Sequence, residues 1–238
     1  MRFYLRLVQI QLLDENLEFP STDKATKEGL LAVGGDLSTA RLIAAYERGI
    51  FPWYNPGEMI LWWSPPMRAI IPLDEIRIHK SMRNELNKKR YRVTYDTHFS
   101  EVVRGCAIAK RGEDEAETWI SGEIHEAYSK LYELGIAHSV EVWKGEELVG
   151  GLYGVSIGTM FFGESMFSNA VNASKVALIH LSEKLKSWGF GPIDCQIMND
   201  HLGTLGAREI ERDEFQKLLD FHLTSSPTKK GPWTDGVL

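Results

Sequence analysis

Cysteine is scarce. The 238-residue chain has two, Cys106 and Cys195, which lie 89 positions apart and form no C-x-x-C pair. That excludes a disulfide-stapled small fold, a zinc knuckle and a dithiol redox pair, and it reads as core thiols of a reducing compartment. The seven histidines are scattered singly. His125-Glu126 opens like a zinc-peptidase helix, but Ser129 stands where the second histidine should be, so no metal is expected. No apolar run reaches the roughly 18 residues that a membrane helix needs. The early stretch Leu7 to Leu13 is broken by Gln9 and Gln11 and followed by Asp14 and Glu15, unlike a signal-peptide core. A cytoplasmic protein without a membrane partner is the expectation. Phosphate-cradling loops are also missing: Gly150-Gly151-Leu152-Tyr153-Gly154 has neither the P-loop nor the dinucleotide spacing. ATP and dinucleotide chemistry are thereby disfavoured. Nor is there an excess of positive charge, because 27 Lys and Arg face 33 Asp and Glu for a net −6. That balance argues against indiscriminate binding to polyanions, though a local basic patch remains open.

What is present is an ordinary globular composition, 43% hydrophobic and 25% charged, in a chain long enough for one large domain or a small one joined to a larger. Residues 1–67 differ from the remainder. A helix is expected from Ser38, its N-cap, to Tyr46, stopped by Gly49. An aromatic stretch dense in proline follows, Ile50-Phe51-Pro52-Trp53-Tyr54-Asn55-Pro56 and then Leu61-Trp62-Trp63-Ser64-Pro65-Pro66, where no regular helix can form. A boundary falls near Arg68, dividing the chain into domains 1–67 and 68–238. Beyond it the pattern predicts helices over Ser100 to Lys110 and Ser121 to Leu134. Three strands with tight turns come next, at His138 to Trp143, Leu148 to Val155 and Thr159 to Glu164. A helix from Ser174 to Trp188, a strand from Ile193 to Ile197 and a final helix near Glu214 to Leu223 complete the order. This is a mixed-sheet α+β architecture.

Three segments carry candidate chemistry. In the strand Ile193-Asp194-Cys195-Gln196-Ile197, period two places Asp194 and Gln196 on one face, roughly 6.6 Å apart. They either converge on a reacting atom or form a merely wet polar face. Glu164, in Gly163-Glu164-Ser165-Met166-Phe167-Ser168, stands beside Phe161, Phe162 and Met166. Phe167 replaces the closing glycine of a nucleophile elbow, so serine hydrolysis is disfavoured. A carboxylate at the rim of an apolar pocket would grip an ammonium group; the alternative is a capped acid in a sheet core. Third, Arg77, Lys80, Arg83, Lys88, Lys89, Arg90 and Arg92 stand against the single acid Glu85. Together with the aromatics of the first domain, that run fits contact with an unpaired RNA end; a solvated face is the alternative.

Several blocks together resemble the leucyl/phenylalanyl-tRNA–protein transferase family. They are Gly34-Gly35-Asp36-Leu37-Ser38, Arg48-Gly49-Ile50-Phe51-Pro52-Trp53, Leu61-Trp62-Trp63-Ser64-Pro65, His138-Ser139-Val140-Glu141-Val142-Trp143, the Glu164 segment, Ile193-Asp194-Cys195-Gln196 and Asn199-Asp200-His201 to Leu205-Gly206-Ala207. The resemblance runs from about Phe19 to Phe221, leaving the N-terminal lead and the tail after Leu223 without an assigned function. It implies a small N-terminal domain joined to an acetyltransferase-like (GNAT) mixed-sheet domain. The acyl-CoA pyrophosphate loop of that superfamily is missing, with Asn172-Ala173-Ser174-Lys175 in its place. It further implies transfer of Leu, Phe or Met from aminoacyl-tRNA to proteins that begin with Arg or Lys, marking them for degradation, with no cofactor and as a monomer. By the same resemblance, Asp194 and Gln196 are the catalytic pair, with Glu164 at the reacting end. Leu152, Phe161, Met166, Leu178 and Ile193 line the amino-acid pocket, and Tyr46, Trp53 and Trp119 hold the 3′-terminal adenosine. The rivals are an acyl-CoA-dependent N-acyltransferase and a non-catalytic tRNA-binding module.

Overall fold

A computed structural model of the chain describes residues 10–109 and 118–234. The first elements are β1 (Gln11–Leu13), β2 (Leu30–Gly34), α1 (Thr39–Tyr46), β3 (Phe51–Pro52) and β4 (Leu61–Trp63). Their strands form a four-stranded sheet in the order β1-β2-β4-β3. The Ser38 side chain accepts the Arg41 N–H and caps α1 as expected. Gly49, at φ +69°, turns the chain out of the helix, a conformation that costs a residue with Cβ far more than glycine.

The following elements are β5 (Met67–Ile71), α2 (Lys80–Asn87), β6 (Arg92–Tyr95), α3 (Phe99–Ile108), α4 (Gly122–Glu133), β7 (Ala137–Lys144), β8 (Glu147–Ile157) and β9 (Met160–Ser168). They are completed by α5 (Ala173–Ser187), β10 (Ile193–Gln196), α6 (Asp200–Leu205), β11 (Arg208–Glu211) and α7 (Arg212–Ser225). A second sheet has seven strands in the order β11-β5-β10-β9-β8-β7-β6. All its pairings are antiparallel except β9 with β10, which run parallel and are joined through α5. The α+β expectation holds, with a mixed sheet behind a smaller one, and so does the β7-β8-β9 meander. The expected end of the Ser100 helix at Lys110 lies outside the described residues, as does the start of the Leu7 to Leu13 stretch; Gln11–Leu13 form β1.

Helices cover the large sheet on both faces. One face packs on α3 and α4, with Val102, Val103, Ile124 and Tyr128 against Tyr153, Val155 and Phe162, and this core is continuous with Trp62, Tyr46 and Leu42 of the smaller sheet. The other face packs on α5 through Ala177, Leu178, Leu181 and Leu185 against Val140, Leu152, Phe161 and Ile193. Strand β7 is therefore buried on both sides, and its alternating polar residues are not a wet face. Glu141 is fully buried and accepts hydroxyl hydrogen bonds from Thr94 (2.6 Å), Thr97 (2.8 Å) and Ser139 (2.5 Å). Among the described residues no helix is long and apolar enough to cross a membrane.

Candidate functional site

The site lies where two neighbouring strands part. The parallel ladder of β9 and β10 covers only Phe161–Phe162 against Ile193–Asp194. Past that point both strands depart from regular register. Strand β9 shifts against β8 at Tyr153/Gly154, and β10 shifts against β5 between Asp194 and Gln196. Gln196 itself sits at φ +58°, a left-handed conformation uncommon for a residue with a side chain and held only where its surroundings enforce it. Two parallel strands that diverge leave backbone unpaired and a gap between them. Here the Gln196 carboxamide crosses that gap and donates from Nε2 to Glu164 Oε1 at 2.8 Å.

The bulge alters which side chains face the cavity. Strict alternation would set Asp194 beside Gln196, but the register shift turns them apart. Asp194 is fully buried and its carboxylate takes a two-pronged grip from Arg68, Nε to Oδ1 at 2.8 Å and Nη2 to Oδ2 at 2.6 Å. Arg68 is itself buried, donates to the Gly49 carbonyl at 2.9 Å, and lies over the rings of Phe51 and Phe215. Asp194 Oδ1 also accepts the Gln196 backbone N–H at 3.0 Å. The link from Asp194 to Gln196 thus runs through the bent backbone, and the aspartate clamps the bulge in place. Arg68, which in the sequence only marked a boundary, is the partner that burial of Asp194 requires.

Glu164 has an equally built surrounding. Tyr46 donates its hydroxyl hydrogen to Oε1 at 2.7 Å and Tyr128 to Oε2 at 3.0 Å, while the two hydroxyls also touch each other. Both tyrosines are fully buried. Burial pushes the Glu164 carboxyl up to about 7, against the pull of the two phenols and the Gln196 amide. The group therefore changes charge near neutral pH, which is where a proton carrier works best. Tyr128 was visible in the sequence only as part of the apolar stripe of α4.

Glu164 and Gln196 open onto a cavity of about 1210 Å³. Leu152, Phe161, Met166, Leu178 and Ile193 all line it, as do Trp119, Glu164 and Gln196. Asp194, Tyr46 and Trp53 do not. Tyr46 has no ring face open to a base and instead holds Glu164. Trp53 is 45% exposed on the smaller sheet, 6.0 Å from the Trp63 ring, whereas Trp62 belongs to the core. The basic residues Arg77, Lys80, Arg83, Lys88, Lys89, Arg90 and Arg92 are exposed along and around α2. Glu85 pairs with Lys88 at 3.1 Å and Arg90 at 3.6 Å, and Arg92 lies over the Trp143 ring at 5.0 Å. Arg77 borders a shallower depression that shares Asn199 and Asp200 with the large cavity. One end of the run therefore lies beside a depression that adjoins the cavity.

Residues 70–220 match the family described as leucyl/phenylalanyl-tRNA protein transferase, and residues 35–66 match its N-terminal domain. A leucyl/phenylalanyl-tRNA–protein transferase of Nitrosomonas europaea is 50% identical over 94% of both chains. One from Flavobacterium psychrophilum is 52% identical over 88% of this chain and 99% of its own. Among solved structures, an aminoglycoside acetyltransferase from an uncultured soil metagenomic sample overlaps 48% of this chain and 83% of its own, at 11% identity and a TM-score of 0.37.

Proposed function

The chain belongs to the leucyl/phenylalanyl-tRNA–protein transferase family and is an aminoacyltransferase, and we propose that it moves Leu, Phe or Met from tRNA to proteins that begin with Arg or Lys. The reaction is aminolysis of an activated ester. The acceptor's α-amino nitrogen attacks the ester carbonyl carbon, a C–N bond forms, and the C–O bond to the ribose breaks. One amine proton ends on the released ribose hydroxyl. No ATP is consumed, in keeping with a chain that has no phosphate loop. The product carries a new N-terminal residue that marks it for degradation, and the chemistry belongs to the cytoplasm, where aminoacyl-tRNA is found.

The observation that carries this reading is the apolar cavity capped by Glu164 and Gln196 at the parting of β9 and β10. Leu152, Phe161, Met166, Leu178 and Ile193 receive the amino-acid side chain. Because the Gln196 amide nitrogen is committed to Glu164, its carbonyl oxygen is left to accept a hydrogen from the incoming amine. That orients the nitrogen lone pair toward the ester and lowers the barrier by positioning. Free α-amino groups titrate near 7.7–8.0, so a useful fraction is already neutral at physiological pH. Glu164, titrating near 7, receives the amine proton and returns it to the leaving oxygen. Asp194 acts through the bulge it clamps, and Tyr46 and Tyr128 hold Glu164. The division at 67/68 gives the first domain two tasks, supplying Tyr46 to this network and presenting Trp53 beside Trp63 to the 3′ end of the tRNA with Trp119. The basic run from Arg77 to Arg92 grips the acceptor stem, and the protein acts as a monomer.

The test incubates purified protein with labelled Leu-tRNA and a peptide beginning with Arg, without CoA or ATP. Label in the peptide is the expected result. Retention of the RNA without transfer would leave only a tRNA-binding module, and transfer dependent on acyl-CoA would select the rival acyltransferase.

A further inference from the structure

Residues 226–234 run back across the large sheet instead of leaving the molecule. They lie beyond residue 220, where the family match ends. Thr228 Oγ1 accepts the Gly158 N–H at 2.9 Å, and Gly231 donates its N–H to the Gly135 carbonyl at 3.2 Å. The two glycines pass so closely that a Cβ on Gly135 would stand 2.2 Å from the Gly231 nitrogen. The segment then drives Trp233 into the core, where it is 2% exposed.

The indole has a dedicated socket. Its ring stacks on His138 at 3.7 Å and 9°, and meets Trp188 edge-on at 5.1 Å. The Trp233 backbone N–H donates to Asp96 Oδ2 at 2.7 Å, and the same oxygen is bonded to His138 Nδ1 at 2.8 Å. Its remaining ring neighbours are Phe161 at 5.9 Å and Phe190 at 6.2 Å. Phe161 lines the cavity. On another side it is stopped by bare backbone, since a Cβ at Gly154 would come within 2.7 Å of the Phe161 ring. Phe161 is thus backed by the Gly154 backbone and by the Trp233 side chain, and the second can be trimmed.

We propose that Trp233 is a specificity-setting positioning residue: it props Phe161 from behind and so fixes the depth of the side-chain pocket. The inference rests on the aminoacyltransferase reading of that cavity. With the indole removed, Phe161 can retreat into the void and the pocket lengthens, which favours the longer phenylalanyl group over leucyl. Differences of one or two methylenes in an apolar pocket discriminate by about 10–200-fold.

The experiment measures kcat and KM of the full chain for Leu-tRNA and Phe-tRNA with one Arg-initiated peptide. Trp233→Ala should raise the Phe:Leu ratio of kcat/KM by about tenfold, chiefly through KM, with kcat for Leu-tRNA held within about threefold. Trp233→Phe, which keeps an aromatic prop, should return the ratio most of the way to wild type. Should the alanine variant not fold, Trp233→Leu must still move the ratio several-fold in the same direction. An unmoved ratio in a folded variant, or parallel losses on both substrates that track the folded fraction by near-UV circular dichroism, would overturn the inference alone. A wild-type protein that transfers neither amino acid would overturn the underlying reading, and this inference with it.

Discussion

Replacing Asp194 with asparagine tests whether this residue meets the substrate or holds the site together. The exchange keeps the shape and leaves an oxygen for the Gln196 N–H, but it removes the charge that faces Arg68 across 2.6 and 2.8 Å in a fully buried setting. Removing one partner of a buried ion pair costs about 3–5 kcal/mol, because the other charge stays buried and uncompensated. Arg68 would retain the Gly49 carbonyl at 2.9 Å and the faces of Phe51 and Phe215 at 4.8 and 4.6 Å. Cation–π contacts of that kind offset about 0.5–2 kcal/mol each, so the lower end of the range, about 3 kcal/mol, is expected. Against a total stability of about 5–15 kcal/mol the loss is large but survivable. Urea unfolding should therefore show a clearly lowered midpoint with an unchanged slope. The double exchange Arg68→Met with Asp194→Leu should be more stable than Asp194→Asn alone. It removes both charges, an exchange that is often neutral or stabilising by about 1–4 kcal/mol, and leaves the Gln196 N–H and the Gly49 carbonyl without their partners, at about 1–3 kcal/mol each. Turnover should fall in both variants while affinity for aminoacyl-tRNA stays within about threefold, since the bulge that aims Gln196 has lost its clamp. If Asp194→Asn unfolds at the wild-type urea concentration while turnover collapses, Asp194 faces the reacting atoms and the clamp reasoning fails.

The pH dependence of transfer should carry the signature of Glu164, whose carboxyl titrates at about 7. In kcat/KM profiles the wild type should lose activity as pH falls through about 7, and Glu164→Gln should lack that limb while keeping the one from the acceptor amine. The same raised value makes the folded state the stronger proton binder. The Glu164 contribution to stability is therefore fully present below its ordinary value of 4.5 and lost as pH rises towards 7; a Glu164→Gln variant whose urea midpoint shows the same fall would contradict this. Alanine at Lys88, Lys89 and Arg90 should weaken tRNA binding and flatten its log–log salt slope by up to about 0.7–0.9 for each phosphate no longer neutralised; an identical slope would mark the run as solvated surface. Ile-tRNA should be a poor donor, because a second heavy atom on Cβ meets the wall near Glu164, and Met166→Ala should relax that rejection. Equal transfer from Ile-tRNA and Leu-tRNA by the wild type would refute the slot.

Local signals were the readable ones. Ser38 caps α1 as expected, α4 begins at the expected serine, Ser121, and the glycines at 49, 135 and 189 all adopt positive φ where a helix stops. The company Glu164 keeps was readable for a similar reason, since Phe161 and Met166 lie on one strand with it, whereas the fuller pocket list came from the family resemblance. What could not be read depended on pairing between distant residues. Arg68 meets Asp194 across 126 positions, and Tyr46 meets Glu164 across 118. Polar character alone put Asp194 and Gln196 together, and period-two reasoning then placed both on one face. A bulge has no obligatory sequence mark, so the parity between them was broken without warning. Tyr128 shows the opposite problem, for at helical spacing it is indistinguishable from a core aromatic, and only its hydroxyl, meeting Glu164, gives it a role.

The same divergence of strands accounts for most of what the site needs. Parallel neighbours held in register would satisfy each other's backbone and leave no room for a side chain to enter the sheet. Parting β9 from β10 after two paired residues opens the sheet at its middle, where both faces are already covered by helices. A gap there is lined by apolar strand residues on its walls and exposes backbone at its lip. Only strong, buried polar anchors can hold such a lip open, which explains why the Asp194–Arg68 pair and the Glu164–tyrosine ring flank it on either side. Burial raises the Glu164 carboxyl towards neutrality, and the same shielding would slow hydrolysis of an activated ester while it waits for an amine. An enzyme that must favour an amine over water as the nucleophile gains both from one structural choice. That links the bulge at Gln196, the buried ion pair and the titration of Glu164 as consequences of a single break in the ladder.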